Sequence, residues 1–158
     1  MSMASTTSPV TTVWFVDDSA DEYFLADFSF RKERIGLDLE HFEAFDSFAA
    51  HLGELSETEL HTSIAVIDLN LTVSKGSDGI AQLRRKDRYQ GMILGVCSGS
   101  DDPADRQSCL EAGADFFVAK PLNRKALLTM ADQVPSLHQN DAEDGDLGFI
   151  RDDYSPPK

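Results

Sequence analysis

Short apolar runs recur along this chain, and the four clearest of them stop abruptly at a polar side chain. The clearest runs cover residues 13–16, 64–67, 92–97 and 116–119, and a weaker one covers residues 37–44. Continuous apolar runs of this length, rich in Val, Ile and Phe, are typical of strands buried on both faces of a parallel sheet. The pattern therefore predicts five strands.

Helical patterns fill the intervals between these strands. The first helix is predicted at residues 20–34, with Phe24, Leu25 and Phe28 on its inner face. Further helices are predicted at residues 45–52, at residues 78–86, from Asp102-Pro103 to Gly113, and before Pro135. Strands and helices that alternate through short connections predict one α/β domain, with a doubly wound, five-stranded parallel sheet covered by helices on both faces.

The two ends of the chain lack these patterns. Residues 1–11 are predicted to form a flexible N-terminus, and residues 12–135 the folded domain. Residues 136–158 are strongly acidic, and their composition predicts a disordered tail. The alternative is a tail that docks on the domain or on a second subunit through its apolar side chains. These are Leu147, Phe149, Ile150 and Tyr154.

The net charge of −14, from 28 acidic and 14 basic residues, excludes some classes of partner. Nucleic acids are bound through Lys and Arg, so neither they nor an anionic membrane surface is expected as a partner. No apolar stretch approaches the roughly 20 residues that span a bilayer. Cys97 and Cys109 form neither a disulfide framework nor a zinc motif, which favours a reduced, cytoplasmic protein. Four histidines share no motif and are interpreted as surface residues: His41, His51, His61 and His138.

Chemically active side chains follow directly after four of the predicted strands. They are Asp17 and Asp18, Asp68, Ser98 and Lys120. In an open parallel sheet the ligand site lies beyond the carboxyl ends of the strands, so these groups are expected to meet at one edge. Three carboxylates, a hydroxyl and an ammonium are suited to a divalent metal ion and a phosphoryl group.

This order of residues resembles that of the bacterial response-regulator receiver domain, over residues 12–134. The residues that carry the resemblance are the Asp17-Asp18 pair, Asp68, Ser98 and the Lys120-Pro121 pair. Their spacing agrees with the family, with 98 − 68 = 30 residues from Asp68 to Ser98 and 120 − 98 = 22 residues from there to Lys120. The resemblance implies a flavodoxin-like sheet with the strand order 2-1-3-4-5.

The resemblance also implies a role for each of these residues. Asp68 would be the nucleophile that accepts a phosphoryl group, while Lys120 and Ser98 would bind phosphoryl oxygens. Mg²⁺ would be the cofactor, because it prefers oxygen ligands and keeps several waters. Its ligands would be Asp18 and Asp68 directly, Asp17 through water, and the backbone carbonyl of Asn70.

Signalling roles follow from the same resemblance. Ser98 and Phe117 would form the switch, with Phe117 standing where many receivers have Tyr. Asn70 and Ser100 occupy positions that tune the attack of water on the acyl phosphate, and their small polar side chains imply moderate self-dephosphorylation.

One departure concerns the loop after the phosphoacceptor. Receivers commonly have Pro about four residues after the nucleophile and Gly about eight residues after it, whereas here Thr72 replaces the Pro and Gly79 comes later. The loop is therefore expected to be about three residues longer than usual, and mobile.

The expected function is that of a stand-alone receiver, phosphorylated on Asp68 by a histidine kinase or a phosphotransfer protein. It would catalyse its own phosphotransfer without being an enzyme for a separate substrate. Output to a downstream protein would pass through the face formed by the fourth helix, fifth strand and fifth helix, and a homodimer through this face is compatible with the resemblance.

Two alternative functions stay open on the sequence. One is an adaptor that has the receiver fold and works without phosphorylation. The other is a haloacid-dehalogenase-type phosphatase, because residues 68–72 approach the Asp-x-Asp-x-Thr motif of those enzymes. Asn70 weakens this second alternative, since an amide cannot supply the proton of a general acid.

Overall fold

A computed structural model describes residues 7–71, 74–140 and 145–152 of the chain. The strands are β1 (Thr7–Val10), β2 (Thr12–Val16), β3 (Asp38–Phe42), β4 (Ser63–Asp68), β5 (Ile93–Ser98), β6 (Phe116–Ala119), β7 (Leu137–Gln139) and β8 (Phe149–Asp152). The helices are α1 (Ala20–Lys32), α2 (Phe45–Leu52), α3 (Glu57–His61), α4 (Gly76–Arg84), α5 (Pro103–Ala112) and α6 (Arg124–Gln133). No helix within the described ranges has the length and apolar character needed to cross a membrane.

The central sheet confirms the predicted fold. Its five strands are parallel and lie in the order β3-β2-β4-β5-β6, which is the predicted order 2-1-3-4-5. Alternate side chains of a strand point to opposite faces, so Phe15 packs in the core beside α1 and α6, while Trp14 packs in the core beside α2 and α4. Every residue of β4 and of β5 is buried, as expected of strands covered on both faces.

The predicted ends of α5 are confirmed. The Asp102 carboxylate accepts a hydrogen bond from the backbone N–H of Ala104, and Pro103 occupies the first helical position. Gly113 ends the helix with φ of 111°, a left-handed conformation that favours glycine.

The predicted inner face of α1 is wrong. Phe24, Leu25 and Phe28 are exposed, and the helix packs on the sheet through Ala26 and Phe30 instead. The helix carries two apolar stripes, and the small Ala26 side chain lets the other stripe approach the sheet closely. The bulkier stripe therefore faces outward.

The loop after β4 is shorter than predicted. Helix α4 begins at Gly76, two residues before the predicted start at Asp78 (78 − 76 = 2), so part of the expected Gly/Ser loop is helical. A side chain at Gly76 would collide with the backbone carbonyl of Asp68, which explains why glycine stands there. The unusual Thr72 position lies outside the described residues.

Both ends of the chain contribute strands, contrary to the prediction of a flexible N-terminus and a disordered tail. The antiparallel sheet β1-β8-β7 joins residues 7–10 to the segment after α6. Leu137, Leu147 and Phe149 are buried and complete the core beside α1 and α6. The docking alternative is thus correct for Leu147 and Phe149, which fill space that the sheet and α1 leave open, and Tyr154 lies outside the described residues.

Candidate functional site

Three carboxylates converge at the carboxyl ends of neighbouring strands. Asp17 and Asp18 follow β2, and Asp68 is the last residue of β4. One carboxylate oxygen from each lies within 4.8 Å of the others. Asp17 and Asp68 are buried, whereas Asp18 is exposed. The sheet thus holds a compact acidic pocket that opens to solvent on one side.

Lys120 reaches into this pocket from the end of β6. Its Nζ lies 3.0 Å from Oδ2 of Asp17 and 3.2 Å from Oδ1 of Asp68, and its side chain is only 17% exposed. Within the described ranges, Asp17 Oδ2 has no hydrogen-bond donor with good geometry apart from this ion pair. The pocket therefore contains three carboxylates and a single ammonium, which leaves excess negative charge for a cation to neutralise.

The remaining predicted site residues surround the pocket at different depths. Ser98, the last residue of β5, is buried, and its hydroxyl accepts a hydrogen bond of 3.0 Å from the backbone N–H of Ser100. Asn70 is exposed, and its N–H lies 3.4 Å from Oδ1 of Asp68. The predicted site residues at the carboxyl ends of β2, β4, β5 and β6 are thus at one edge of the sheet.

The comparisons with known proteins agree with this geometry. Residues 13–132 match the sequence profile of the response regulator receiver domain. The chain belongs to the response regulator receiver family. This membership confirms the resemblance inferred from the strand-end residues and decides against the phosphatase alternative.

Individual relatives of this receiver are distant. The aerobic respiration control protein ArcA of Escherichia coli strain K12 is 28% identical over 102 residues, which are 62% of this chain and 41% of ArcA. The receiver therefore spans less than half the length of this relative. Receiver domains as a family bind Mg²⁺ at an acidic pocket of this kind.

Solved structures share the fold of this receiver. The chemotaxis response regulator CheY4 of Vibrio cholerae superposes with a TM-score of 0.64 at 18% identity, covering 78% of this chain and 98% of CheY4. A co-crystal structure of the Saccharomyces cerevisiae phosphotransfer protein Ypd1 with the receiver domain of Ssk1 gives a TM-score of 0.61 at 21% identity, covering 77% of this chain and 86% of the matched one. At these identities the likeness shows the fold alone.

His41 supports the acidic loop of this receiver, although the sequence suggested an ordinary surface histidine. Its Nε2 lies 2.6 Å from the backbone carbonyl oxygen of Asp17, and its ring stacks on Tyr23 with centroids 4.5 Å apart. The N–H of Asp17 in turn donates to the carbonyl of Phe42 at 3.0 Å. Strand β3 thereby fixes the backbone of Asp17. His41 reaches this position because it pairs with Phe15 of the adjacent strand β2.

Phe117 of the predicted switch is buried in the core beside α2 and α4. The side chain of Gln133, on α6, forms hydrogen bonds with both the backbone N–H and the backbone carbonyl of Phe117. The N–H of Phe117 donates to Gln133 Oε1, and Gln133 Nε2 donates to the carbonyl of Phe117, at 3.0 Å each. Strand β6 and α6 of the receiver are therefore connected at the residue predicted to switch.

Burial and the nearby charge of Asp17 raise the pKa of Asp68 above its ordinary 3.8, although Lys120 opposes this shift. Burial alone would lower the pKa of Lys120, but its hydrogen bonds and ion pairs with Asp17 and Asp68 outweigh burial and raise the pKa above 10.5. At neutral pH the Lys120 ammonium is therefore firmly protonated. Burial also raises the pKa of the Cys97 thiol to about 12, so this thiol is not a nucleophile.

Replacing Asp68 with asparagine is expected to stabilise the metal-free receiver by about 1 kcal/mol at pH 7. An acid with a raised folded-state pKa binds its proton more tightly when folded, so this contribution to stability is lost as the pH rises from 3.8 through the folded pKa. The uncharged asparagine side chain removes that loss. Urea unfolding should show that Asp68→Asn gains more free energy of unfolding over the wild type at pH 7 than at pH 4. Asp38→Asn, at an exposed site, is the matched control. A loss of stability in Asp68→Asn at pH 7 would contradict this account of the pocket.

Proposed function

We propose that this receiver accepts a phosphoryl group on Asp68 from a histidine kinase or a phosphotransfer protein, in a reaction that needs Mg²⁺. The observation that carries the proposal is the position of the Lys120 ammonium, within 3.2 Å of both Asp17 and Asp68. An incoming phosphoryl group brings negative charge to an already acidic pocket. Lys120 is the group of this chain that neutralises part of it.

The covalent step is a displacement at phosphorus. A carboxylate oxygen of Asp68 attacks a phosphohistidine, a P–O bond forms as the P–N bond breaks, and the electron pair returns to the imidazole nitrogen of the donor, which then takes up a proton. The ionised form of Asp68 is the nucleophile, and the donor approaches it from the side of the pocket that opens to solvent at Asp18. Lys120 exchanges its contact with Asp68 Oδ1 for one with a phosphoryl oxygen.

Mg²⁺ fits the acids of the pocket. Asp18 and Asp68 would bind the ion directly, Asp17 through water, and the carbonyl of Asn70 would complete the ligands from the protein. When bound, the ion neutralises charge on the phosphoryl group during transfer. The buried Oδ2 of Asp17, which among the described residues has the Lys120 ion pair but no hydrogen-bond partner, supports this assignment.

The signal would leave through the face formed by α5, β6 and α6. In the proposed switch, the Ser98 hydroxyl leaves the N–H of Ser100 and donates to a phosphoryl oxygen, and Phe117 responds at β6. Asn70 and Ser100 tune the attack of water on the acyl phosphate and thus the lifetime of the signal.

A downstream protein, rather than a nucleic acid or a membrane, is the proposed target of this face. The net charge of −14 supports this choice, because phosphate-rich surfaces repel such a chain. A cytoplasmic location is proposed as well, since Cys97 and Cys109 are both buried as free thiols.

Beryllofluoride with Mg²⁺, an analogue of the phosphoryl group, tests the proposed function. Trp14 is a buried reporter three residues before Asp17 on β2, in edge contact with Phe48. A saturable change in its emission is expected for the wild type and none for Asp68→Asn, while Asp38→Asn should respond like the wild type. Phosphoryl transfer from acetyl phosphate, followed by mass spectrometry, provides a second readout. The proposal fails if the wild type responds in neither assay, or if Asp68→Asn responds equally.

A further inference from the structure

The outward face of α1 has an unusual composition. Its exposed side chains run along the helix as an acid, three large apolar residues and two bases: Asp21, Phe24, Leu25, Phe28, Arg31 and Lys32. Phe24 is 63% exposed, Leu25 52% and Phe28 56%. Among the described residues, Leu110 is the one further large apolar side chain that is comparably exposed, at 39%. The patch on α1 is therefore the main apolar surface described for this chain.

The spacing of this patch is that of a helix interface. Phe24, Leu25 and Phe28 lie at positions i, i+1 and i+4, and Asp21 and Lys32 extend the same stripe by about one turn at each end. Stripes of this kind normally face a core or another helix, because exposed clusters of large apolar side chains are unfavourable in water. The other stripe of α1 already meets the sheet, so the described part of the chain leaves this one uncovered.

The order of charges along α1 favours a second copy of this chain as the partner. The helix has acids in its first turn (Asp21, Glu22) and bases in its last turn (Arg31, Lys32). In the antiparallel register that centres both copies of α1 at position 26.5, residue i faces residue 53 − i. Asp21 faces Lys32 (21 + 32 = 53) and Leu25 faces Phe28 (25 + 28 = 53). The surface is thus complementary to itself in both charge and apolar contact.

We propose that α1 is the interface of a symmetric dimer, in which two copies of this receiver pair antiparallel through Phe24, Leu25 and Phe28. Such an interface presents the same patch twice across a two-fold axis. Arg31 is bound to Asp27 within its own helix at 2.8 Å, but its side chain remains 76% exposed and accessible to Glu22 of the partner subunit. Opposite charges then flank the apolar centre at both ends.

The dimer is a weak one. A helix of 13 residues is about 20 Å long, so this contact is smaller than the roughly 800 Å² per subunit of standard interfaces. The net charge of −14 on each copy also opposes association. A dissociation constant of roughly 10–500 µM is expected on these grounds. This dimer differs from one through the face of α5, β6 and α6, and it needs no phosphorylation.

The interface lies next to the acidic pocket. Helix α1 starts at Ala20, and its cap residue Ser19 donates its N–H to Oδ1 of Asp17 at 2.8 Å. A second copy on α1 therefore covers one flank of the site that receives the phosphoryl group. Dimer formation and the approach of a bulky donor protein compete for this flank.

Charge exchange across the interface tests the proposal most sharply. Asp21→Lys places an ammonium against Lys32 of the partner subunit, and Lys32→Asp places a carboxylate against the partner's Asp21, so each variant alone is expected to be a monomer. Mixed in equal amounts, the two variants should form a heterodimer, because opposite charges then face each other at both ends. Sedimentation velocity measures the oligomeric state of each variant alone and of the mixture. Concentrations from 10 µM to 1 mM roughly bracket the expected dissociation constant.

Two further variants complete the design. Leu25→Asp should weaken self-association at least tenfold, since it places a charge at the apolar centre, and its exposed position leaves folding intact by circular dichroism. Glu54→Lys makes the same charge change as Asp21→Lys at an exposed site away from α1, and it should associate like the wild type.

The possible results distinguish a dimer through α1 from binding of the donor protein to α1. A monomeric wild type at 1 mM overturns the proposal, and so does a mixture of Asp21→Lys and Lys32→Asp that stays monomeric while the wild type dimerises. If the wild type is monomeric and Leu25→Asp slows phosphorylation by a partner kinase, the patch binds the donor protein instead, and the proposal is again wrong. Because beryllofluoride binding by Asp68 is measured separately, failure of the dimer leaves the proposed function untouched.

Discussion

Lys120→Met is expected to slow phosphoryl uptake from acetyl phosphate at least ~100-fold, the usual cost of removing one charge-stabilising donor from an active site. Methionine keeps the length of the side chain but cannot neutralise charge on the phosphoryl group. Mass spectrometry of the intact chain over time, at saturating Mg²⁺, gives the rate. Lys125→Met, at an exposed position on α6, is the matched control and should keep the wild-type rate.

Stability needs a separate check in this experiment, because Lys120 is the partner of the buried Asp17 carboxylate. Breaking a buried ion pair costs about 3–5 kcal/mol, so Lys120→Met is compared with Lys120→Arg, which retains the positive charge. Circular dichroism at the assay temperature must show that both are folded. Wild-type phosphorylation by a folded Lys120→Met would remove Lys120 from the proposed chemistry.

Ending the chain after Ser136 is expected to remove most of its stability. This truncation deletes β7 and β8 and with them Leu137, Leu147 and Phe149, which are all buried in the core beside α1 and α6. Each large buried side chain contributes roughly 2–5 kcal/mol, against a total of about 5–15 kcal/mol for an ordinary domain. Urea unfolding followed by circular dichroism should show a receiver that is largely unfolded in buffer.

A chain that ends after Asp152 is the control for this truncation, because it keeps both strands. Phe149→Ala in the full chain is a milder change than the truncation, and it is expected to lower the free energy of unfolding by about 3–5 kcal/mol. An unchanged unfolding midpoint in the chain that ends after Ser136 would mean that β7 and β8 only rest on the domain.

The strands of the central sheet could be predicted because their surroundings leave a direct mark on the sequence. A strand such as β4, buried on both faces, must consist of consecutive apolar residues, and the first polar residue then marks its end. This rule predicts Asp68 and Lys120 as strand-end residues, and their proximity follows from the parallel arrangement of β4 and β6. The positions of the acids and the amine were therefore predictable from strand ends alone.

Features that depend on distant contacts could not be predicted. Thr7 pairs with Asp152, 145 positions away (152 − 7 = 145), and strands of three or four residues are too short to show a periodic pattern. The prediction of the inner face of α1 was wrong for a related reason. Both stripes of the helix are apolar, and only packing on the sheet determines that Ala26 and Phe30 face inward. His41 acquires its contact with Asp17 only once β3 lies beside β2.

The double hydrogen bond between Gln133 and Phe117 also bears on how this molecule behaves at high concentration. β6 is the outermost strand on its side of the sheet, and an outermost strand with bare amides invites pairing with another chain. The Gln133 amide occupies both backbone groups of Phe117, as a neighbouring strand would. Gln133 therefore hinders the pairing of β6 with a strand of another chain. Association with other proteins is then directed to the surfaces of the helices.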